Sequence, residues 1–398
     1  MKAIEIKKDL FYVGVNDRTK HLFENLWPLP HGVSYNSYLL KDEKTVLFDT
    51  VDIAYADVFL SKLGAALNGK PLNYLVINHM EPDHSGSLSL LKTKYPDIEI
   101  VVNARMVDML NGYYGITDNL KVVNDGEKLA LGKHILQFHL VPMVHWPETM
   151  VTYDTTDKTL FSGDAFGTFG TLDGGITDTQ LRPEKYWDEM IRYYSNIVGK
   201  YGSPVQKAIA KLSGIEIATI CTTHGPVWTE KENISKVISL YDKLSKYEAD
   251  PGVVIAYGSM YGHTEQMAEA IASELAAQGI RDIVLHNVSI SPHSNIIRDV
   301  FKYKGLIVGC PTYNNQLYPE MDALLTKLAG REIKNRYFGF FGSFTWAGAA
   351  VKRLAAFAET SGWEVAGVPA EMKQTMDQKS YEAAIALAQT MAEKIKPD

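Results

Sequence analysis

The densest group of metal-ligating side chains in this sequence is His79-Met80-Glu81-Pro82-Asp83-His84, directly after the apolar run Leu75-Val76-Ile77. That order projects imidazole and carboxylate groups from a loop at the C-terminal end of a strand. Alternation at 79, 81 and 83 aims them at one region, and His84 offers a fourth group. Ser85-Gly86-Ser87 follow, as a loop passing into a helix needs. Three further groups of ligand type stand in comparable places. His145 ends the run Leu140-Val141-Pro142-Met143-Val144, Asp164 lies in Phe161-Ser162-Gly163-Asp164-Ala165-Phe166, and His224 lies in Ile220-Cys221-Thr222-Thr223-His224-Gly225-Pro226. A lone His or a turn Asp is ordinarily a hydrogen-bonded structural residue. The ordered set H-x-E-x-D-H, H, D, H is instead the pattern of a metal site, and its donors suit iron, manganese or zinc.

A second set of polar loops belongs to the C-terminal part. Tyr257-Gly258-Ser259-Met260-Tyr261-Gly262-His263-Thr264-Glu265 follows a short apolar run and leads into a helix. Backbone N–H groups, the Ser259 and Thr264 hydroxyls and the helix dipole together favour a phosphate. The loop is neither G-x-x-x-x-G-K-[ST] nor G-x-G-x-x-G, which disfavours a nucleoside triphosphate. Its neutrality suits the monophosphate of FMN. Two more loops, Cys310-Pro311-Thr312-Tyr313-Asn314-Asn315 and Gly342-Ser343-Phe344-Thr345-Trp346-Ala347-Gly348, also follow apolar runs. Their aromatic rings can sandwich an isoalloxazine, and loops after the first, third and fourth strands of a doubly wound sheet converge where a flavin binds.

The elements that must position these groups can be read from periodicity. Strand patterns fall at 35–40, 45–49, 74–78, 99–103, 134–141 and 149–153, with helical patterns at 54–67 and 86–95 and a long amphipathic stretch at 231–247. Strands come early in pairs and helices separate the later ones, which fits a layered α/β sandwich. Ala249-Asp250-Pro251-Gly252 then breaks the pattern. Strands at 253–256, 283–287, 306–309, 337–341 and 364–368 alternate with helices at 264–278, 296–303, 321–329, 349–360 and 379–395, as in an open parallel sheet covered on both faces. The division expected is 1–249 and 250–398.

Composition bounds the function. The 398 residues, 46% hydrophobic and 22% charged, suit two globular domains. No run approaches the roughly 20 apolar residues that span a bilayer. Met1 to Lys8 alternates charged and apolar residues like an opening strand and has no apolar signal core, so a cytoplasmic protein is expected. A net charge of −7 argues against nucleic acid or an acidic membrane as partner. Cys221 and Cys310 stand alone, which excludes a disulfide framework, a thiolate zinc site, a cysteine-ligated cluster and an internal rubredoxin-type centre.

The motifs around His79, Glu81, Asp83, His84, His145, Asp164 and His224 resemble those of the metallo-β-lactamase superfamily, whose hydrolases carry H-x-H-x-D-H and zinc. Glu81 stands where those enzymes have histidine. With His145-Trp146-Pro147 and Gly163-Asp164-Ala165-Phe166-Gly167, that exchange identifies a member of the flavodiiron proteins, or A-type flavoproteins. S-x-Y-G-x-T and P-T-Y-N-N in turn resemble flavodoxins, with a departure at Thr345, where many relatives have glycine. The resemblance implies a metallo-β-lactamase-like αβ/βα sandwich followed by a flavodoxin-like doubly wound parallel sheet.

It also implies cofactors and partners. His79, Glu81 and His145 would hold one iron, Asp83 and His224 a second, and Asp164 would bridge them. His84 ligates the second iron in some family members and turns away in others. FMN would contact Ser259, Met260, Tyr261, Gly262, His263 and Thr264, then Pro311, Thr312, Tyr313, Asn314 and Asn315, and finally Ser343, Phe344, Thr345, Trp346, Ala347 and Gly348. Glu81, a harder and anionic ligand, favours iron redox chemistry over zinc hydrolysis. The implied reactions are reduction of O2 to water and of NO to N2O, with no side chain acting as nucleophile. A head-to-tail homodimer, alone or as a dimer of dimers, would bring one chain's flavin beside its partner's irons, with Trp346 between. Electrons would come from a separate donor, rubredoxin or a reduced deazaflavin coenzyme. Two other classes compete: a zinc hydrolase with a regulatory flavodoxin domain, and a flavin electron carrier with a vestigial metal site.

Overall fold

The computed structural model describes residues 3–396, and the expected opening strand is Ile4–Lys7, with Met1 and Lys2 outside the described residues. The chain divides into two compact units, Met1–Asp242 and Lys243–Asp398.

In the first unit Ile4–Lys7, Leu10–Tyr12, Tyr38–Leu40 and Val46–Phe48 pair antiparallel. The sheet then continues parallel through Tyr74–Val76, Glu99–Val102 and Leu120–Val122, reaching 7 strands. Pairing changes sense where helix Ala56–Leu67 first intervenes, because a parallel neighbour needs a crossover. A second sheet of 5 strands runs antiparallel through Lys128–Ala130, Ile135–Leu140, Met150–Asp154 and Thr159–Gly163. Thr219–Thr222 closes it in parallel after helices Glu184–Tyr193 and Gly202–Leu212. The sheets pack through Phe48 and Phe161, whose ring centroids are 3.6 Å apart. Central strands such as Val46–Phe48 and Thr159–Gly163 are buried along their whole length, which requires cover on both faces. Helices supply that cover, giving the αβ/βα sandwich.

Two local expectations are corrected here. The run 35–40 is not one strand. Val33–Tyr35 pairs with Val15–Asp17 while Tyr38–Leu40 joins the large sheet. Between them Asn36 is drawn away, its amide donating to the Thr222 and Gly225 carbonyls at 2.9 and 2.8 Å. The segment 79–84, expected as a loop, also holds a helical turn, Pro82–Ser85, ahead of helix Leu88–Lys94, which answers to the one expected over 86–95. Proline with its fixed φ opens that turn.

The second unit is a parallel sheet in the order Ile283–Asn287, Asp250–Tyr257, Tyr303–Pro311, Tyr337–Phe344, the order of a flavodoxin. Its fifth position is shared by Glu364–Val365 and Ala370–Lys373, both paired with Tyr337–Phe344. The strand expected over 364–368 is thus cut short near Gly367, which has φ +81°. Asp250-Pro251-Gly252, expected as a break, opens the first strand instead, with a register shift between Asp250 and Val253 that absorbs the proline. Helices His263–Ala277, His293–Lys302, Pro319–Ala329, Ala350–Ser361 and Gln378–Ile395 complete the unit. Arg336 is buried and ties these pieces together. Its guanidinium donates to the Val300 and Phe301 carbonyls, the last turn of one helix, and to Tyr247 O. Among the described residues no helix is long and apolar enough to cross a membrane.

Candidate functional site

The metal-type residues all leave the ends of strands in the two facing sheets. His79 follows Tyr74–Val76, Asp164 follows Thr159–Gly163, and His224 follows Thr219–Thr222. His145 lies in the loop between Ile135–Leu140 and Met150–Asp154. Asn36 clamps the His224 loop, and Gly225 beside it has φ +77° and would carry any Cβ to 2.1 Å from the Thr168 hydroxyl. Only glycine fits there.

The structure brings all these side chains together as two groups, His79, Glu81, His145 and Asp164 in one, and Asp83, His84 and His224 in the other. Within each group the donor atoms lie within 4.8 Å of one another. The simple alternation expected at 79, 81 and 83 does not hold. The helical turn that starts at Pro82 carries Asp83 and His84 away from Glu81 and towards His224. Asp164 connects the groups. Its Oδ2 is 3.2 Å from His145 Nε2 and 3.6 Å from His79 Nε2, while its Oδ1 is 2.9 Å from His84 Nε2 and 3.8 Å from His224 Nε2. Glu81 Oε2 lies 3.2 Å from both His79 Nε2 and His145 Nε2.

Every one of these residues is at most 9% exposed, and among the described residues no lysine or arginine pairs with the carboxylates. Burial alone would drive the acids neutral. Instead the hydrogen bonds from His145 and His79 outweigh burial and hold Glu81 below the usual carboxylate range. Asp164 is held well below it by the His84 charge and by hydrogen bonds from His145 and His84, again against burial. The imidazoles answer in kind. Burial opposes their charge, yet neighbouring carboxylates push His84 and His145 up to about 9 and His79 well above its ordinary value. Such a pocket demands positive charge. Both Asp83 oxygens, His84 Nδ1 and His224 Nε2 are buried without a hydrogen-bond partner among the described residues. Unpaired donors of this kind, converging on one point, fit metal cations.

Outer partners that the sequence did not advertise fix the ligands. Glu148 accepts from His79 Nδ1 at 2.9 Å and from Met80 N–H at 3.0 Å, which leaves Nε2 for the centre. The Ser34 carbonyl accepts from His224 Nδ1 at 2.7 Å, and the Thr223 hydroxyl donates to Asp164 Oδ1 at 2.5 Å. The indole of Trp146 stands edge-on to His79 at 5.0 Å. Glu148 could have been suspected as the next charged residue after His145-Trp146-Pro147. Ser34 had no such signal, since it acts through its carbonyl.

In the second unit three neighbouring strands end in the three loops singled out above. They are stitched together. Gly258 N–H donates to Gly309 O at 2.8 Å, Thr312 N–H to Ser343 O at 2.7 Å, and the buried Thr264 and Ser343 hydroxyls meet at 2.8 Å. A Cβ at Gly258 would stand 2.6 Å from the Tyr318 ring, so that approach also requires glycine. Ser259 Oγ accepts from Gly262 N–H at 3.1 Å and folds the first loop over the start of helix His263–Ala277. Gly262 gives this helix no side-chain cap, and among the described residues the N–H groups of His263 and Thr264 have no acceptor. Asn314 and Asn315 both have positive φ and turn the second loop back, with Tyr313 and Gln316 bonding each other's backbone. Tyr261 and Trp346 are 88% and 87% exposed, aromatic surface that a planar ring could cover. Phosphate donors beside uncovered rings fit FMN.

Comparison with known proteins agrees with this geometry. Residues 33–225 match the family model described as ODP family beta lactamase, and residues 255–387 match flavodoxin. The anaerobic nitric oxide reductase flavorubredoxin of Escherichia coli is 34% identical over 369 residues, 91% of this chain and 76% of that protein. The rubredoxin oxygen:oxidoreductase of Desulfovibrio gigas is 31% identical and superposes with a TM-score of 0.95, covering 99% of this chain and 98% of that one. The flavodiiron protein of Giardia intestinalis, 26% identical, gives 0.92 over 100% and 99%. A zinc hydrolase is not the relative these matches describe. The chain belongs to the flavodiiron protein family of oxidoreductases.

Proposed function

We propose that this protein reduces O2 to water, NO to N2O, or both, at a non-haem diiron centre in residues 1–249, with electrons passed through FMN in residues 250–398. The observation that carries it is the division of Asp164, one oxygen towards each ligand group. His79, Glu81 and His145 would hold one iron and Asp83, His84 and His224 the other, with Asp164 shared. His84 is included because its Nε2 faces Asp164 rather than turning away. Ser259 to Thr264 would hold the FMN phosphate, and Pro311 to Asn315 with Ser343 to Gly348 its ring. When bound, the iron pair supplies coordination for a diatomic gas and one-electron steps, and FMN converts electron pairs into single electrons.

The chain's own residues set the conditions for that chemistry. Glu148 and the Ser34 carbonyl hold the Nδ1–H tautomers of His79 and His224, so that Nε2 of each faces inward. The Thr223 hydroxyl donates to Asp164 Oδ1 and helps orient that carboxylate. Burial of the side chains leaves the site open to solvent chiefly through a pocket of about 660 Å3 that Glu81 and Asp83 line. The two cysteines are both buried and isolated, so they cannot form a four-thiolate electron-transfer site within this sequence. The electron donor would be a separate protein, and relatives named flavorubredoxin and rubredoxin oxygen:oxidoreductase favour rubredoxin over a deazaflavin coenzyme. A head-to-tail homodimer and a cytoplasmic location complete the proposal. Anaerobic single turnover of the reduced enzyme against each gas, with iron and FMN quantified on the same sample, tests it. Consumption of at least one gas with stoichiometric iron and FMN is expected. Zinc without iron, or inertness to both gases, would overturn it.

A further inference from the structure

Behind the ligand loops the first unit contains an apolar cavity of about 350 Å3 that none of the site residues line. Its inner wall is buried and comes from Val151 and Leu160 on the second sheet and from Val144, Ala165 and Phe166. The last three are chain neighbours of His145 and Asp164. Its outer side is a gap between helices Gly202–Leu212 and Lys231–Ser245, where Ile209 and Ile238 face the cavity and remain half-buried. Polar groups enter the lining through Ser213, Lys231 and Ser235 between the helices and through the buried Tyr241, while most of the wall is apolar. Leaving several isoleucines half-covered forgoes burial worth about 25 cal/mol per Å2, so filling that space would have been favourable. The sequence leaves it open.

We propose that this cavity binds small nonpolar diatomic molecules and passes them from the surface between the two helices to the back of the metal cluster. The inference deepens the gas-reductase function and rests on it. A largely apolar cavity offers water few partners, so it favours species that need no hydrogen bond. Molecular oxygen and nitric oxide are such species. The commitment to a gas over a larger apolar ligand comes from the inner wall, to which Val144, Ala165 and Phe166 of the His145 and Asp164 loops contribute, rather than a remote part of the fold. Partition into this space raises the local gas concentration where it is used, and lowers the concentration needed in solution.

The test has two arms on the iron- and FMN-loaded protein. Crystals pressurised with xenon should show the atom between Leu160 and Ile238. Ile238→Trp and, independently, Ala208→Phe narrow the same space without touching a ligand. Each should raise KM for the reducible gas about fivefold while kcat and iron content stay unchanged. Absence of xenon, an acyl chain in its place, or an unchanged KM in a variant whose structure shows the cavity filled would overturn the proposal. If the unaltered enzyme reduces neither gas, the functional assignment fails, and the xenon arm alone still decides whether the cavity is a gas site.

Discussion

At the metal cluster His79, His84 and His224 are fully buried and Glu81, Asp83, His145 and Asp164 nearly so, whereas at the flavin loops Tyr261 and Trp346 stand almost wholly in solvent. The contrast follows from what each region must hold. A small cation brings no surface of its own, so its donors must already converge, and strand ends with outer partners such as Glu148 can fix them. A flavin brings a large planar surface and a phosphate, so stitched backbone and a few uncovered rings are enough. One region is pre-organised by burial. The other presents exposed rings and backbone donors suited to a ligand with a surface of its own.

Substitutions should break that contrast in a graded way. Asp164→Asn has the largest expected effect, because both ligand groups share this carboxylate. Purified protein should lose most of its iron and all gas reduction yet keep its FMN. Elemental analysis showing full iron would mean the groups stand independently. Glu148→Gln keeps the shape of the side chain but weakens the bond that orients His79. Iron affinity, titrated into apo-protein, should fall roughly 10–100-fold. An unchanged affinity would assign the orientation of His79 to packing alone. Arg336→Met removes the guanidinium that donates to the Val300, Phe301 and Tyr247 carbonyls. Urea unfolding followed by flavin fluorescence should show a loss of about 3 kcal/mol in the second unit, with iron retained. Equal destabilisation of both units would show that they do not unfold separately. The smallest effect is expected for Ser259→Ala, which removes the acceptor for Gly262 N–H. FMN should bind about fivefold more weakly, near 1 kcal/mol, with iron content untouched.

The same contrast governs how much the sequence disclosed. The candidate ligands were legible as residue types beside apolar runs, and the structure brings their side chains together in two groups. Their partition was not legible, because alternation along 79, 81 and 83 assumes an extended chain and Pro82 starts a helical turn. Ser34 was invisible for another reason: a backbone carbonyl leaves no mark on residue type. In the second unit the rhythm of strands and helices was plain, since fully buried parallel strands read as continuous apolar runs. Its irregular ends were not. Pro251 reads as a break, but a register shift lets the strand start at Asp250, and Gly367 splits what looked like one strand at 364–368. Long-range pairing decides both, and local pattern does not contain it.

The central claim is that Asp164 joins two ligand groups, each holding an iron. Anomalous diffraction at the iron edge, on crystals of the protein purified without added metal, tests it most directly. Two iron peaks are predicted, one among His79, Glu81 and His145 and one among Asp83, His84 and His224, with Asp164 between them. A single peak, or peaks that appear only at the zinc edge, would contradict it.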